Sequence, residues 1–197
     1  MSFTANTAFE TRVTNGRFDD LQNITGKYYV STTATDCSAG FLCKRDSLLD
    51  CEGFSGVKNE NAWKMVAAVS TDTVDTGIYA CNTYDWQLVA DASGNNFAVG
   101  HNTLGLGIPA GRFGTFTRID FDGQHIYRIG SGNCSGTKST NTYLTIDDGT
   151  YKWAASAPTT TGAIYFELMG TGTFTEGAYA GFTYYDVMAR KVSTVAG

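Results

Sequence analysis

The 197-residue sequence predicts an all-β protein, a single barrel or sandwich-like domain preceded by an N-terminal arm that carries a short helix. Three observations lead there. The chain holds 23 glycines and 13% aromatic residues against only 2 prolines and 17% charged residues, a balance typical of β-rich globular domains. Short apolar runs separated by Gly, Asp, Asn and Thr clusters recur at the spacing of sandwiches and barrels, summing to about ten or more strands. Two Asp-Gly dipeptides, Asp122-Gly123 and Asp148-Gly149, stand between segments rich in Ile, Thr, Tyr and Phe, the strongest short-range signal for a hairpin.

The elements follow in order. Residues 1–25 form the arm, in which Thr7-Ala8-Phe9-Glu10 fits a capping box, Phe9 and Val13 stand four apart and Gly16 suits a C′ position; this predicts a helix near 8–15, too short to stand without docking on something. The body, 26–197, opens with strand-like Gly26–Thr33, a turn over Ala34–Ser38 and a second apolar run, Ala39–Lys44. Residues 45–61 show neither period 2 nor period 3.6 and read as an irregular loop anchored by Leu48, Leu49 and Phe54. Trp63–Val69, Thr76–Asn82, Trp86–Ala90 and Phe97–Val99 read as strands, with Ser93-Gly94-Asn95 as a hairpin tip. Strands 115–121 and 124–129 then pair across Asp122-Gly123, placing Asp120 opposite His125 and Ile119 opposite Ile126. A polar loop over Ser131–Asn141 leads to a second hairpin, Tyr143–Ile146 with Tyr151–Trp153, then to Ala163–Met169 and a final long strand, Tyr179–Val192.

Charge and motif content narrow the function. Of 19 acidic residues 14 are aspartates, many beside Gly, Thr or Asn where they make turns, and the basic residues are scattered, so the concentrated Lys/Arg stripe of a nucleic-acid groove is missing. No apolar run approaches the roughly 20 residues of a membrane span, and the first residues lack the order of a signal peptide, so synthesis in a cytoplasm is expected. Cysteines 37, 43, 51, 81 and 134 are odd in number without a CxxC or His companion, which points to reduced, partly buried thiols.

Candidate chemistry is thin. His125 facing Asp120 resembles the base and orienter of a triad, but no nucleophile completes it, and His101 has no evident partner. The pairs Asp19-Asp20, Asp120/Asp122 and Asp147-Asp148 lack the further ligands of a calcium loop. Gly105-Leu106-Gly107 leads into Ile108-Pro109 and not into a phosphate-binding helix. The expectation is a protein that is not an enzyme and carries no cofactor.

Three stretches, TGKYYVSTTATDCSAGFLCKR (25–45), GLGIPAGRFGTFTRIDFDG (105–123) and TTTGAIYFELMGTGTFTEG (159–177), resemble the small structural proteins of tailed bacteriophages, in particular head decoration (auxiliary capsid) proteins. The resemblance implies a compact β-barrel or β-tulip body on the outer capsid surface of the virion, with an N-terminal arm that clamps neighbouring subunits of the major capsid protein. It implies a homo-oligomer, by analogy a trimer, with no nucleic-acid or membrane partner. On this reading the arm's apolar anchors are Phe3, Phe9, Val13 and Phe18, and its polar partners are Arg12 and Arg17. The alternative is a carbohydrate- or cell-surface-binding β-sandwich displayed on a virion, for which Trp63, Trp86, Trp153 and the many tyrosines supply aromatic platforms. A lectin-like site requires two or more aromatics on one exposed face beside Asp or Asn; a decoration protein requires an apolar association surface. A tail-tube subunit would need a helix packed on the barrel, and no strong helical pattern follows residue 16.

Overall fold

A computed structural model describes residues 4, 6–13, 23–82, 87–90, 96–99, 107–121, 123, 125–175 and 180–193. The strands are β1 (Phe9–Val13), β2 (Asn23–Val30), β3 (Thr33–Ala34), β4 (Leu42–Cys51), β5 (Phe54–Ala67), β6 (Ile78–Cys81), β7 (Gln87–Ala90) and β8 (Asn96–Val99). They continue with β9 (Gly114–Arg118), β10 (His125–Gly130), β11 (Cys134–Ser135), β12 (Tyr143–Asp147), β13 (Thr150–Ala154), β14 (Ile164–Thr173) and β15 (Thr183–Lys191). Among the described residues the only helical turns are two 3₁₀ segments, Val74–Thr76 and Ser131–Asn133. The all-β expectation holds, in a sandwich-like arrangement of two sheets.

One sheet runs β1-β10-β15-β14-β12-β13-β11 and the other β3-β2-β5-β4-β6-β9. The second sheet also pairs β2 with β9, from Asn23↔Thr117 to Gly26↔Gly114, so β2, β5, β4, β6 and β9 close on themselves as a small barrel. Alternation along its strands sends Tyr28, Cys43, Met65, Tyr79, Cys81 and Phe116 inward, where they pack with Cys37 and Ile108. Residues of the opposite parity, among them Leu42, Ile78 and Ala80, face the larger sheet and share a second core with Phe9, Tyr127, Ile129, Leu144, Phe166 and Val187. Strand β6, IYAC, is therefore buried throughout, which explains its continuous apolar sequence.

The seam of the barrel depends on two glycines. A Cβ on Gly26 would lie 2.7 Å from Met65 Cγ and 2.8 Å from the Trp63 carbonyl, and one on Gly114 would lie 2.3 Å from Ile108 Cγ1. Because Gly26 and Gly114 are cross-strand partners, both strands approach the filled interior where a side chain would hold them off.

Four sequence expectations are corrected. Residues 9–13 are not a helix: β1 is an edge strand antiparallel to β10, with Phe9 opposite Ile129 and its ring stacked on Tyr127 at 5.8 Å. Burial of Phe9, a long-range contact, outweighs the local capping signal. Residues 45–61 are not a loop but most of a β4–β5 hairpin whose register shifts in three places, between Arg45/Ser47, Leu48/Asp50 and Asp50/Cys51. Each inserted residue reverses the parity of those after it, which erased the period of 2 from the sequence. The 115–121/124–129 pair is not a hairpin either. β9 joins β2 and β6 in the barrel and β10 joins β1 and β15 in the other sheet, so the two strands do not pair; Asp122 and Gln124 between them lie outside the described residues. Finally, the turn expected over Ala34–Ser38 falls earlier, at Ser31-Thr32 between β2 and β3, while Ala34 belongs to β3 and Cys37 forms a bridge with Ile108.

The second Asp-Gly hairpin forms as expected. Asp147 pairs with Thr150 across Asp148 (φ 45°) and Gly149 (φ 78°), the two positive values of a type I′ turn. The β7–β8 pair is antiparallel, while its expected tip at 93–95 lies outside the described residues. All five cysteines are free thiols, three of them buried.

Two predictions follow from this packing. Phe9→Ala removes a buried ring from the shared core and should cost about 3–5 kcal/mol, read as a lower denaturant midpoint at unchanged slope; a midpoint within error of wild type would show the first strand to be dispensable. Burial pushes the thiols of Cys37, Cys43 and Cys81 up, those of Cys37 and Cys81 furthest, and that of Cys134 up to about 12. Iodoacetamide at mildly alkaline pH should therefore alkylate the partly exposed Cys51 first and reach the three buried thiols only on unfolding, as peptide mass mapping would record.

Candidate functional site

Two surface features stand out: the far half of the β4–β5 hairpin and the groove at its base. β2 pairs with β5 only between Thr25↔Ala62 and Tyr28↔Met65, so residues 54–61 continue beyond the barrel with pairing from β4 alone. The hairpin reverses at Glu52-Gly53, where Gly53 takes φ 81°, and Cys51 faces Phe54 across the turn. A glycine at this position has the conformational freedom the turn requires. Toward the end Phe54 and Val57 are 66% and 54% exposed, the largest solvent-facing apolar side chains on the hairpin.

The hairpin is braced by charge. Lys58 Nζ lies 2.6 Å from Asp50 Oδ1, and the other carboxylate oxygen accepts the Gly56 N–H at 3.0 Å. Nearer the barrel Lys64 Nζ lies 2.9 Å from Asp46 Oδ2. Exposed pairs of this kind contribute little individually, but here they cross-link the strands where no core supports them.

The groove, about 580 Å³, lies between β2 with its following turn and the flank of the hairpin from Ser47 out to Glu52 and Lys58, and Phe113 closes one side. Lys27 and Tyr29 reach it from β2, Ser47 and Asp50 from β4, and Asn59 from β5. β2 alternates, so Tyr28 fills the barrel while Lys27 and Tyr29 project outward. The Lys27 ammonium sits over the Phe113 ring at 4.1 Å and the Lys64 ammonium over Tyr29 at 5.8 Å. Asn59 falls where β5 has surplus residues between Leu48↔Trp63 and Asp50↔Lys58, and this bulge turns it toward the groove.

The residues singled out in the sequence fall elsewhere. Phe9 is buried in the shared core and unavailable as an anchor for a partner. Arg12 and Val13 sit on β1, opposite Ile126 and His125 in the ladder, and Phe3, Arg17 and Phe18 lie outside the described residues. The N-terminal segment is stitched to the body by Asn133, whose Oδ1 accepts N–H groups from Ala8 and Gly130 at 3.0 Å each and whose Nδ2 donates to the Ala39 carbonyl at 2.6 Å. His125 and Asp120 do meet, Nδ1 to Oδ2 at 3.8 Å, although Asp120 lies past the end of β9 and no ladder joins β9 to β10; the imidazole is buried and stacked near Tyr127, whose hydroxyl accepts the Asp120 N–H. His101 lies outside the described residues. No group of three or more His, Cys, Asp or Glu that could hold a metal occurs among the described residues.

Neither the hairpin nor the groove was found from sequence. The usable signal was Glu52-Gly53, a turn dipeptide inside the segment read as a loop. Scans against protein-family models, curated proteins and solved structures returned no match to this chain.

The Lys58 hydrogen bond, followed by the Gly56 N–H, holds the Asp50 carboxyl below its ordinary range. A folded value below the unfolded one means that the brace is complete above the usual carboxylate pKa of about 3.9 and is lost as pH falls through the lower folded value. In an NMR titration the Asp50 carboxyl carbon and the Gly56 amide should move together below that range, whereas a midpoint at or above the peptide value would show that the brace does not form in solution.

Proposed function

We propose that the protein is a non-enzymatic structural protein of a tailed-phage virion, a head decoration protein that binds the outer capsid surface and clamps neighbouring subunits of the major capsid protein. The observation that carries this reading is the projecting β4–β5 hairpin with Phe54 and Val57 exposed toward its end. A strand pair extended beyond its barrel, with open edges and an apolar end, is suited to lie across a neighbouring molecule and bury those side chains there. The resemblance of residues 25–45, 105–123 and 159–177 to decoration proteins supports the same assignment.

The clamp now differs in its parts from the arm expected from sequence. Phe9 serves the protein's own core, so the gripping element is the hairpin, and β1 is part of the platform that holds it. One hairpin offers only a modest contact, and affinity for a capsid comes from repetition. In a homo-oligomer, by analogy a trimer, several hairpins engage the lattice at once, so the second and third contacts form at high effective concentration. The chain's net charge of −5 disfavours retention on nucleic acid during assembly.

The test is co-sedimentation of the full chain with expanded and unexpanded heads of the phage carrying its gene. Saturable binding to expanded heads is expected, and the Phe54→Ser, Val57→Ser double variant should weaken it by at least about tenfold while leaving the thermal midpoint unchanged, since both side chains are exposed. Failure of the wild type to bind either form of head would overturn the proposal. Undiminished binding by the double variant would remove the hairpin as its agent.

A further inference from the structure

We propose that the groove at the base of the hairpin is a binding site for a saccharide that carries a carboxylate group. The inference stands apart from the capsid reading, because the groove runs from the β2 wall along the flank of the hairpin and neither Phe54 nor Val57 lines it.

The volume, about 580 Å³, falls within the usual range of small-ligand sites. One wall is β2, held in place by the closed barrel, so Lys27 and Tyr29 project from a rigid strand. The groove combines ring surfaces, Tyr29 and Phe113, with groups that exchange hydrogen bonds with hydroxyls, Ser47, Asp50 and Asn59. A sugar ring offers the matching pair of surfaces, apolar C–H faces and an equatorial rim of hydroxyls. Asp50 spends one oxygen on Lys58 and the other on Gly56, yet each carboxylate oxygen keeps a further lone pair for a ligand hydroxyl.

Charge selects the class of sugar. Lys58 and Lys64 are matched by Asp50 and Asp46, whereas Lys27 has no carboxylate within ion-pair distance among the described residues and rests against Phe113. Glu52, the groove's other acid, stands at the hairpin turn, so the ammonium that no carboxylate touches is the one on the rigid β2 wall, and that wall favours one ligand carboxylate. A polyanion is disfavoured, because Asp46, Asp50 and Glu52 lie in or beside the same groove and would repel a chain of phosphates. This arrangement separates a carboxylated saccharide from a nucleic acid and also from a neutral sugar, which leaves Lys27 without a counter-charge.

The experiment is isothermal titration and saturation-transfer NMR of the full chain with three carboxylated probes, trigalacturonate, 3′-sialyllactose and a hyaluronan tetrasaccharide, against neutral maltotriose. At least one carboxylated probe should bind saturably and at least about tenfold more tightly than maltotriose. Lys27→Met and Tyr29→Ala should each weaken that binding by about tenfold, with Lys27→Gln and Phe113→Leu as milder variants if either first choice lowers the thermal midpoint. Three outcomes overturn the inference: no binding by any of the three probes, equal binding of maltotriose, or binding that survives both Lys27→Met and Tyr29→Ala in folded protein. Head co-sedimentation by the Lys27→Met variant should match wild type, so loss of the groove and loss of the capsid contact are read separately.

Discussion

The closure of β2 on β9 is the constraint on which the rest of the structure depends. Without it the smaller sheet would have two open edges and its inner residues, including Cys43, Cys81 and Met65, would face solvent on one side. With it, the inner parity is sealed by Ile108 and Phe116, and the outer parity is left to meet the larger sheet. The seam holds because Gly26 and Gly114 bring no side chain to a place already occupied by Met65 and Ile108. A closed barrel also fixes the direction in which β4 and β5 leave it, and that is what turns two long strands into a projecting hairpin.

The two cores do different jobs. The barrel interior is small and closed, with buried thiols near one another, Cys37 Sγ and Cys43 Sγ being 3.9 Å apart. The core between barrel and larger sheet is wider and aromatic, with Tyr151 against Phe166 at 4.8 Å and Trp153 against Tyr185 at 5.0 Å. Strand β6 belongs to both, contributing Ile78 and Ala80 to one and Tyr79 and Cys81 to the other. A disturbance in either core is thus felt in the other, and the rigidity this confers on β2, β4 and β5 is what a surface contact and a ligand groove both require.

Polar groups in the interior are used to join segments that the chain leaves far apart. Asn133 links residues 8, 39 and 130, so the first strand, the barrel entrance and the larger sheet share one side chain. On the outer face of that sheet Arg128 makes two 2.8 Å hydrogen bonds to Asp186 and covers the Tyr184 ring at 3.6 Å, holding β10 to β15. These contacts account for why the N-terminal strand is part of the body, where sequence suggested a separate arm.

The sequence by itself determined the class of fold and the elements whose signals are local. The strand-like Tyr28-Tyr29-Val30 run of β2, the apolar run of β6 and the Asp148-Gly149 turn each follow from interactions within a few residues, and each was legible. Partner choice was not. Asp122-Gly123 looks like Asp148-Gly149 in the sequence, yet the strands flanking the first belong to different sheets while the second closes a hairpin, because strand pairing is decided by which edges remain open after distant segments have packed. The β1 segment carried a helix signal that burial of Phe9 overrode, and the bulges of the β4–β5 hairpin cancelled the pattern that would have revealed it. The groove arises from Lys27, Asp50, Asn59 and Phe113, residues up to 86 positions apart that no spacing rule connects. Only the tertiary structure could gather them, since their proximity is a consequence of barrel closure and not of any local preference.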